Sequence, residues 1–88
     1  MQIRFLARFS RDIDDIGDKA TRKKLFILIE EFESAPSLAK IGNLKKLAGA
    51  KNAYRVRLGD YRVGFFYENG VVEFARILHR KEIYRAFP

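Results

Sequence analysis

The sequence predicts an α+β fold in the order β-α-α-β-β-β, with a helical hairpin packed on a small, mainly antiparallel sheet. Three observations carry that prediction. Residues 18–34 repeat their apolar side chains at helical spacing. Residues 54–58, 61–67 and 71–78 are aromatic and β-branched, and two-residue turn signals separate them. A short segment at residues 2–7 alternates apolar and polar side chains ahead of the helices. With 88 residues, the chain has room for one domain, spanning 1–88.

Each element follows from its residues. In 2–7, Ile3 and Phe5 alternate with Gln2 and Arg4, as a half-buried strand requires. Ser10 is a good helix N-cap, and Asp12, Asp14 and Asp15 suit the positive end of a helix dipole. Gly17 ends that short helix. Asp18 caps a second helix, whose residues Thr21, Leu25, Leu28, Ile29 and Phe32 recur at spacings of three and four. Pro36 stops it. Leu44-Lys45-Lys46-Leu47 reads as a short edge strand or a loop. Three strands follow, joined by Gly59-Asp60 and Asn69-Gly70, the latter a strong hairpin signal because both residues tolerate positive φ. Residues 81–87 form a short terminal helix or an extended tail.

Hydrophobic residues make up 48% of the chain, including eight Phe and four Tyr, so a packed core is affordable. No apolar run approaches the roughly 18 residues of a membrane span, which argues against a membrane partner. There is no cysteine, and one histidine cannot hold a metal alone. These features fit a reducing cytoplasm and no metal or cofactor. The net charge is +7. Residues 1–39 carry seven basic and seven acidic side chains, while residues 40–88 carry eleven basic and four acidic ones. The whole excess therefore lies in the second part, which points to a polyanionic partner.

That excess is organised. A two-residue turn at Gly59-Asp60 pairs Leu58 with Tyr61, Arg57 with Arg62, Val56 with Val63 and Arg55 with Gly64. Directly paired residues share a face. Tyr54, Val56, Leu58, Val63 and Phe65 then form a core face, while Arg55, Arg57 and Arg62 converge on the other. Like charges directly opposed are destabilising, and a guanidinium fork suits phosphate. The stripe therefore reads as a phosphate cradle, with Gly64 leaving open space beside it. Otherwise it is a solvated face with Glu73 as counter-charge. The Asn69-Gly70 turn leaves two registers open, which place either Arg76 or Glu73 on the core side.

The C-terminus adds His79, Arg80, Lys81, Tyr84 and Arg85, with Arg80 and Tyr84 one helical turn apart. Tyr84 either joins the site or anchors the tail by its ring. Lys45, Lys46 and Lys51 extend the basic strip as backbone-attracting cations. Paired carboxylates, a Ser or Cys triad, a phosphate-binding glycine loop and metal-ligand spacing are all missing, which excludes conventional hydrolase chemistry.

Leu44-Lys45-Lys46-Leu47-Ala48-Gly49, the segment Tyr54-Arg55-Val56-Arg57-Leu58-Gly59-Asp60-Tyr61-Arg62-Val63, and His79-Arg80-Lys81-Glu82-Ile83-Tyr84-Arg85 resemble the RelE/ParE superfamily of type II toxins, on its RelE-like branch. The resemblance covers nearly the whole chain. It implies a messenger RNA endoribonuclease acting in the ribosomal decoding site, inhibiting translation and neutralised by a cognate antitoxin. It implies catalytic roles for Arg55, Arg57, Arg62, Arg80 and Tyr84, with Arg62 and Arg80 stabilising charge on the phosphate. Tyr84 acts as base or orients the nucleotide. Lys45, Lys46, Lys51, His79, Lys81 and Arg85 fall to RNA binding. Arg55 and Arg57 stand where RelE carries lysines, so Lys51 and His79 are alternative proton carriers. The alternatives are a ParE-type inhibitor of DNA gyrase and an inactive module that binds nucleic acid or antitoxin.

Overall fold

The computed structural model describes residues 1–88 and runs β1 (Gln2–Phe5), α1 (Ala7–Asp14), α2 (Lys19–Ser34), a single 3₁₀ turn (Leu38–Lys40), β2 (Leu44–Lys46), β3 (Ala53–Leu58), β4 (Tyr61–Glu68), β5 (Val71–His79) and α3 (Arg80–Ala86). One sheet has the order β1-β5-β4-β3-β2. β1 runs parallel to β5, and every other pair is antiparallel. The α+β class and the order of elements are as the sequence predicts, with two additions. Residues 44–46 are a strand, and the C-terminal segment is a helix.

The sheet separates two cores. On one face Phe9, Leu25, Leu28, Phe32, Val56, Val63, Phe65, Val72, Phe74 and Ile77 form a contiguous apolar cluster. Phe9, Phe32, Phe65 and Phe74 are wholly buried. Phe32 meets Phe65 and Phe74 edge-on, with ring centroids 5.1 and 5.2 Å apart. Such burial stabilises by about 1.5–3 kcal/mol per side chain. α2 delivers Leu25, Leu28 and Phe32 to this core, its start fixed by Asp18 accepting the Ala20 amide at 3.1 Å. On the other face, Ala53, Ala75, Ile83 and Phe87 form a much smaller cluster beneath α3.

The N-terminal elements depart from the sequence reading. β1 ends at Phe5 and α1 starts at Ala7, with Leu6 at its N-cap and no side-chain cap. Ser10 lies inside the helix and is exposed. The tertiary requirement overrides the local signal: starting at Ala7 puts Phe9 and Asp12, three residues apart, on the buried side. Phe9 then joins Phe5 and Phe74 in a mutually stacked trio.

Both registers considered for the last hairpin are partly present. Asn69-Gly70 is a two-residue turn with φ of 50° and 80°, pairing Glu68 with Val71 and Phe66 with Glu73. A bulge between Gly64 and Phe65 then shifts the register, so Val63 faces Ile77. Arg76 leaves the core by this route and forms a bidentate ion pair with Asp12 of α1, Nε to Oδ2 at 2.8 Å and Nη2 to Oδ1 at 3.1 Å. Donating to that carboxylate holds the Arg76 guanidinium above its ordinary pKa. Asp12 Oδ2 also accepts the Ile77 amide at 3.0 Å. Where β1 stops, a carboxylate on α1 supplies the acceptor that a strand would have given. No helix is long and apolar enough to cross a membrane.

Candidate nucleic-acid interface

The β3–β4 hairpin has the register that its turn predicts. Gly59 takes φ 59°, the positive value a tight hairpin needs at its first central position. Arg57 faces Arg62, Arg55 faces Gly64, and Val56 faces Val63 on the core side. Lys45 of β2 pairs with Arg55 and joins the same face. Neither Glu73 nor any other carboxylate neutralises this stripe, because Arg76–Asp12 is the one ion pair in the molecule. Arg62 is half-buried, and its Nη1 donates to the carbonyls of Gly59 (2.9 Å) and Tyr61 (2.8 Å). Its Nε and Nη2 are left pointing to no protein acceptor, so the turn fixes the fork and leaves one edge for an anion.

α3 lies across this face. His79 is its N-cap, with Nδ1 accepting the Lys81 amide at 3.2 Å. The Arg80 amide donates to the Asp60 carbonyl at 2.8 Å, pinning the start of α3 to the β3–β4 turn. Ile83 and Phe87, four residues apart, are buried against the sheet. The space beside the arginines at Gly64 is therefore filled, contrary to the open site expected there. A Cβ at position 64 would lie 2.5 Å from Phe87 Cδ2, so only glycine admits the ring.

Tyr84 does not anchor the tail. It is 63% exposed, and its ring lies under the Arg55 guanidinium, 4.5 Å from centroid to Cζ. This cation–π contact joins the two segments that the sequence singles out separately. Arg80 is one turn earlier on the same stripe and is exposed. Lys81 and Arg85 are exposed on the adjacent stripe of α3.

Three sequence candidates fall outside the cluster. Lys46 pairs with Tyr54 and so belongs to the opposite face. Lys51 lines a separate cleft with Asn52, Tyr67 and Glu68, at the end of β3 far from Arg57. His79 pairs with Tyr61, with rings 5.9 Å apart, and lines an acidic cleft with Asp12, Asp15 and Glu82. The residues that sequence reasoning missed are Ile83 and Phe87, which hold α3 in place against Gly64, a residue the sequence singles out only as leaving open space. Their signal is present: a glycine inside a strand, and two apolar residues at helical spacing.

A model of the ParE toxin of the type II toxin–antitoxin system parDE matches residues 3–84. The chain belongs to this toxin family. It is 36% identical over 89 residues to Toxin RelE3 of Methanocaldococcus jannaschii, covering the whole of both chains, which places it on the RelE-like branch. The RelB–RelE antitoxin–toxin complex from Methanococcus jannaschii contains a chain similar to it at 35% identity and TM-score 0.83, covering 97% of this chain and 99% of that one. The archaeal RelE–RelB complex from Pyrococcus horikoshii shares the fold, with 21% identity and TM-score 0.72 over 92% of this chain and 96% of that one.

Proposed function

We propose that this toxin inhibits translation by cleaving messenger RNA in the ribosomal decoding site, and that a cognate antitoxin neutralises it in the cytoplasm. The observation that supports this most is the directly opposed pair Arg57–Arg62, flanked by Arg55 stacked over Tyr84 and lacking any carboxylate partner. A fold tolerates that repulsion where the charges have another use, and an RNA phosphate is the anion their planar forks fit.

RNA carries its own nucleophile. The 2′-oxygen forms a bond to the neighbouring phosphorus and gives its proton to a base, while the bond to the 5′-oxygen breaks and that leaving oxygen takes up a proton, leaving a 2′,3′-cyclic phosphate. The protein needs only to position the strand and stabilise charge on the phosphate oxygens. Arg62 serves that charge with its free edge, and Arg80 from the start of α3. Tyr84 orients a nucleotide by stacking or acts as base, its hydroxyl exposed beside the arginines. Arg55 and Arg57 position the backbone, and Lys45, Lys81 and Arg85 attract it. Lys46 and Lys51 contribute longer-range attraction, and His79 caps the helix that carries Arg80 and Tyr84. An acidic antitoxin is drawn to the same face by charge.

The test is a translating extract with mapped transcript ends. Purified toxin produces new ends inside translated messages and leaves free RNA intact, and co-expressed antitoxin suppresses them. Intact transcripts together with inhibited DNA supercoiling would instead identify a gyrase poison of the ParE type.

A further inference from the structure

The outer face of α2 carries an apolar exposure that the toxin surface leaves unexplained. Phe26 is 53% and Ile27 48% exposed, side by side in the middle of the helix. Around them the charges separate by sign. Lys19, Arg22, Lys23 and Lys24 occupy the N-terminal half, and Glu30, Glu31 and Glu33 the C-terminal half. Lys19, Arg22, Lys23, Phe26, Ile27 and Glu30 line one shallow surface depression.

This arrangement works against the isolated helix. Cations crowd the positive end of the dipole and anions the negative end. Lys19 and Lys23 are like charges at i,i+4. None of the three glutamates has a cation three or four residues away, and none forms an ion pair elsewhere. A helix whose charge order opposes its own dipole gains from a neighbour running the other way.

We infer that α2 pairs antiparallel with α2 of a second copy about a two-fold axis at Phe26–Ile27. In that arrangement the apolar pair covers its own image, and Lys23 of each copy meets Glu30 of the other. Both residues lie about 5 Å from the crossing point along the helix axis. Each basic half meets an acidic half, and the two dipoles oppose. A uniformly acidic partner fits worse, because half of the face would repel it. Arg55 and Arg62 lie on the other side of the sheet, and Arg57 borders a cleft with Lys24, Ile27 and Glu31 at the edge of the seam, so pairing leaves Arg55 and Arg62 open to RNA.

Light scattering on the purified full chain at increasing concentration tests this. The expected mass rises from 10.3 kDa toward twice that value, and salt weakens the association. Phe26→Asp raises the dissociation constant by at least about tenfold with an unchanged circular dichroism spectrum. Lys23→Glu and Glu30→Lys each weaken association, and combining them in one chain restores it, because the swap preserves complementarity across the two-fold. A chain that stays monomeric at about 1 mM, or a double variant no better than either single one, overturns the proposal. So does a Phe26→Asp chain that loses only antitoxin binding, which would assign the face to that partner.

Discussion

The two faces of the sheet are built on opposite principles. Toward α1 and α2, four wholly buried phenylalanines interlock with aliphatic side chains, and the only charged group admitted, Asp12, is fully partnered. Toward α3, a cluster of four buried residues holds a seven-residue helix, and beside it arginines oppose each other without counter-ions. The first face stabilises the fold. The second spends part of that stability to keep cations exposed and a helix within reach of them. Ligand-binding elements are drawn from the less stable parts of a fold for this reason.

The contrast is open to attack by mutation, and the largest effect lies on the stabilising face. Phe65→Ala removes a ring shared by Phe32, Tyr54 and Phe74. It should cost about 3–5 kcal/mol, a fall in Tm of more than about 12 °C in calorimetry. An equal fall from a substitution on the arginine face would break the division.

Next comes Arg62→Ala. Transcript cleavage and growth arrest should drop by about 10²–10³-fold, as when a charge-stabilising donor is lost. Stability should change by less than about 1.5 kcal/mol, since the lost carbonyl contacts are offset by relief from Arg57. Full toxicity of this variant would remove Arg62 from the site.

A smaller effect sharpens the role of α3. Gly64→Ala forces the Phe87 ring aside and shifts Tyr84 over Arg55. Cleavage should fall about tenfold, because small misplacements of a positioned group are costly. The two-helix face should keep its hydrogen-exchange protection, and Phe87→Leu in the same chain should restore part of the activity. Unchanged cleavage would show that the placement of α3 is immaterial.

The smallest effect is a pH dependence at the start of α2. The Thr21 hydroxyl and then the Ala20 amide hold the Asp18 carboxyl below its ordinary value of 3.8. A carboxyl depressed in the folded state contributes stability above its unfolded pKa and loses it as pH falls through the lower folded one. Asp18→Ala should therefore lower Tm at neutral pH, and the gap from the parent chain should close as pH falls below 3.8. A gap that persists in strong acid would exclude the carboxylate as its cause.

The site was legible in the sequence where chemistry is local. Gly59-Asp60 sets the hairpin register, and register alone puts Arg55, Arg57 and Arg62 on one face. The likeness to RelE-type toxins rested on the same residues. What escaped detection depends on distance along the chain. Asp12 and Arg76 are 64 residues apart, and neither one's neighbours announce the pair. Ser10 offered a local cap that lost to the burial of Phe9. Gly64 looked like empty space because the ring that fills it arrives 23 positions later. By sequence alone His79 extends the basic strip, but the bulge upstream sets the alternation that turns it toward Tyr61.

The carboxylate at the end of α1 has a wider consequence. β1 is only four residues long, so past Phe5 the flank of β5 would present bare amides to any extended chain nearby. Asp12 takes the Ile77 amide, and its partner Arg76 fills the flank with a fixed charge. An incoming strand would have to break that pair before adding to the sheet, which makes this edge a poor template for aggregation.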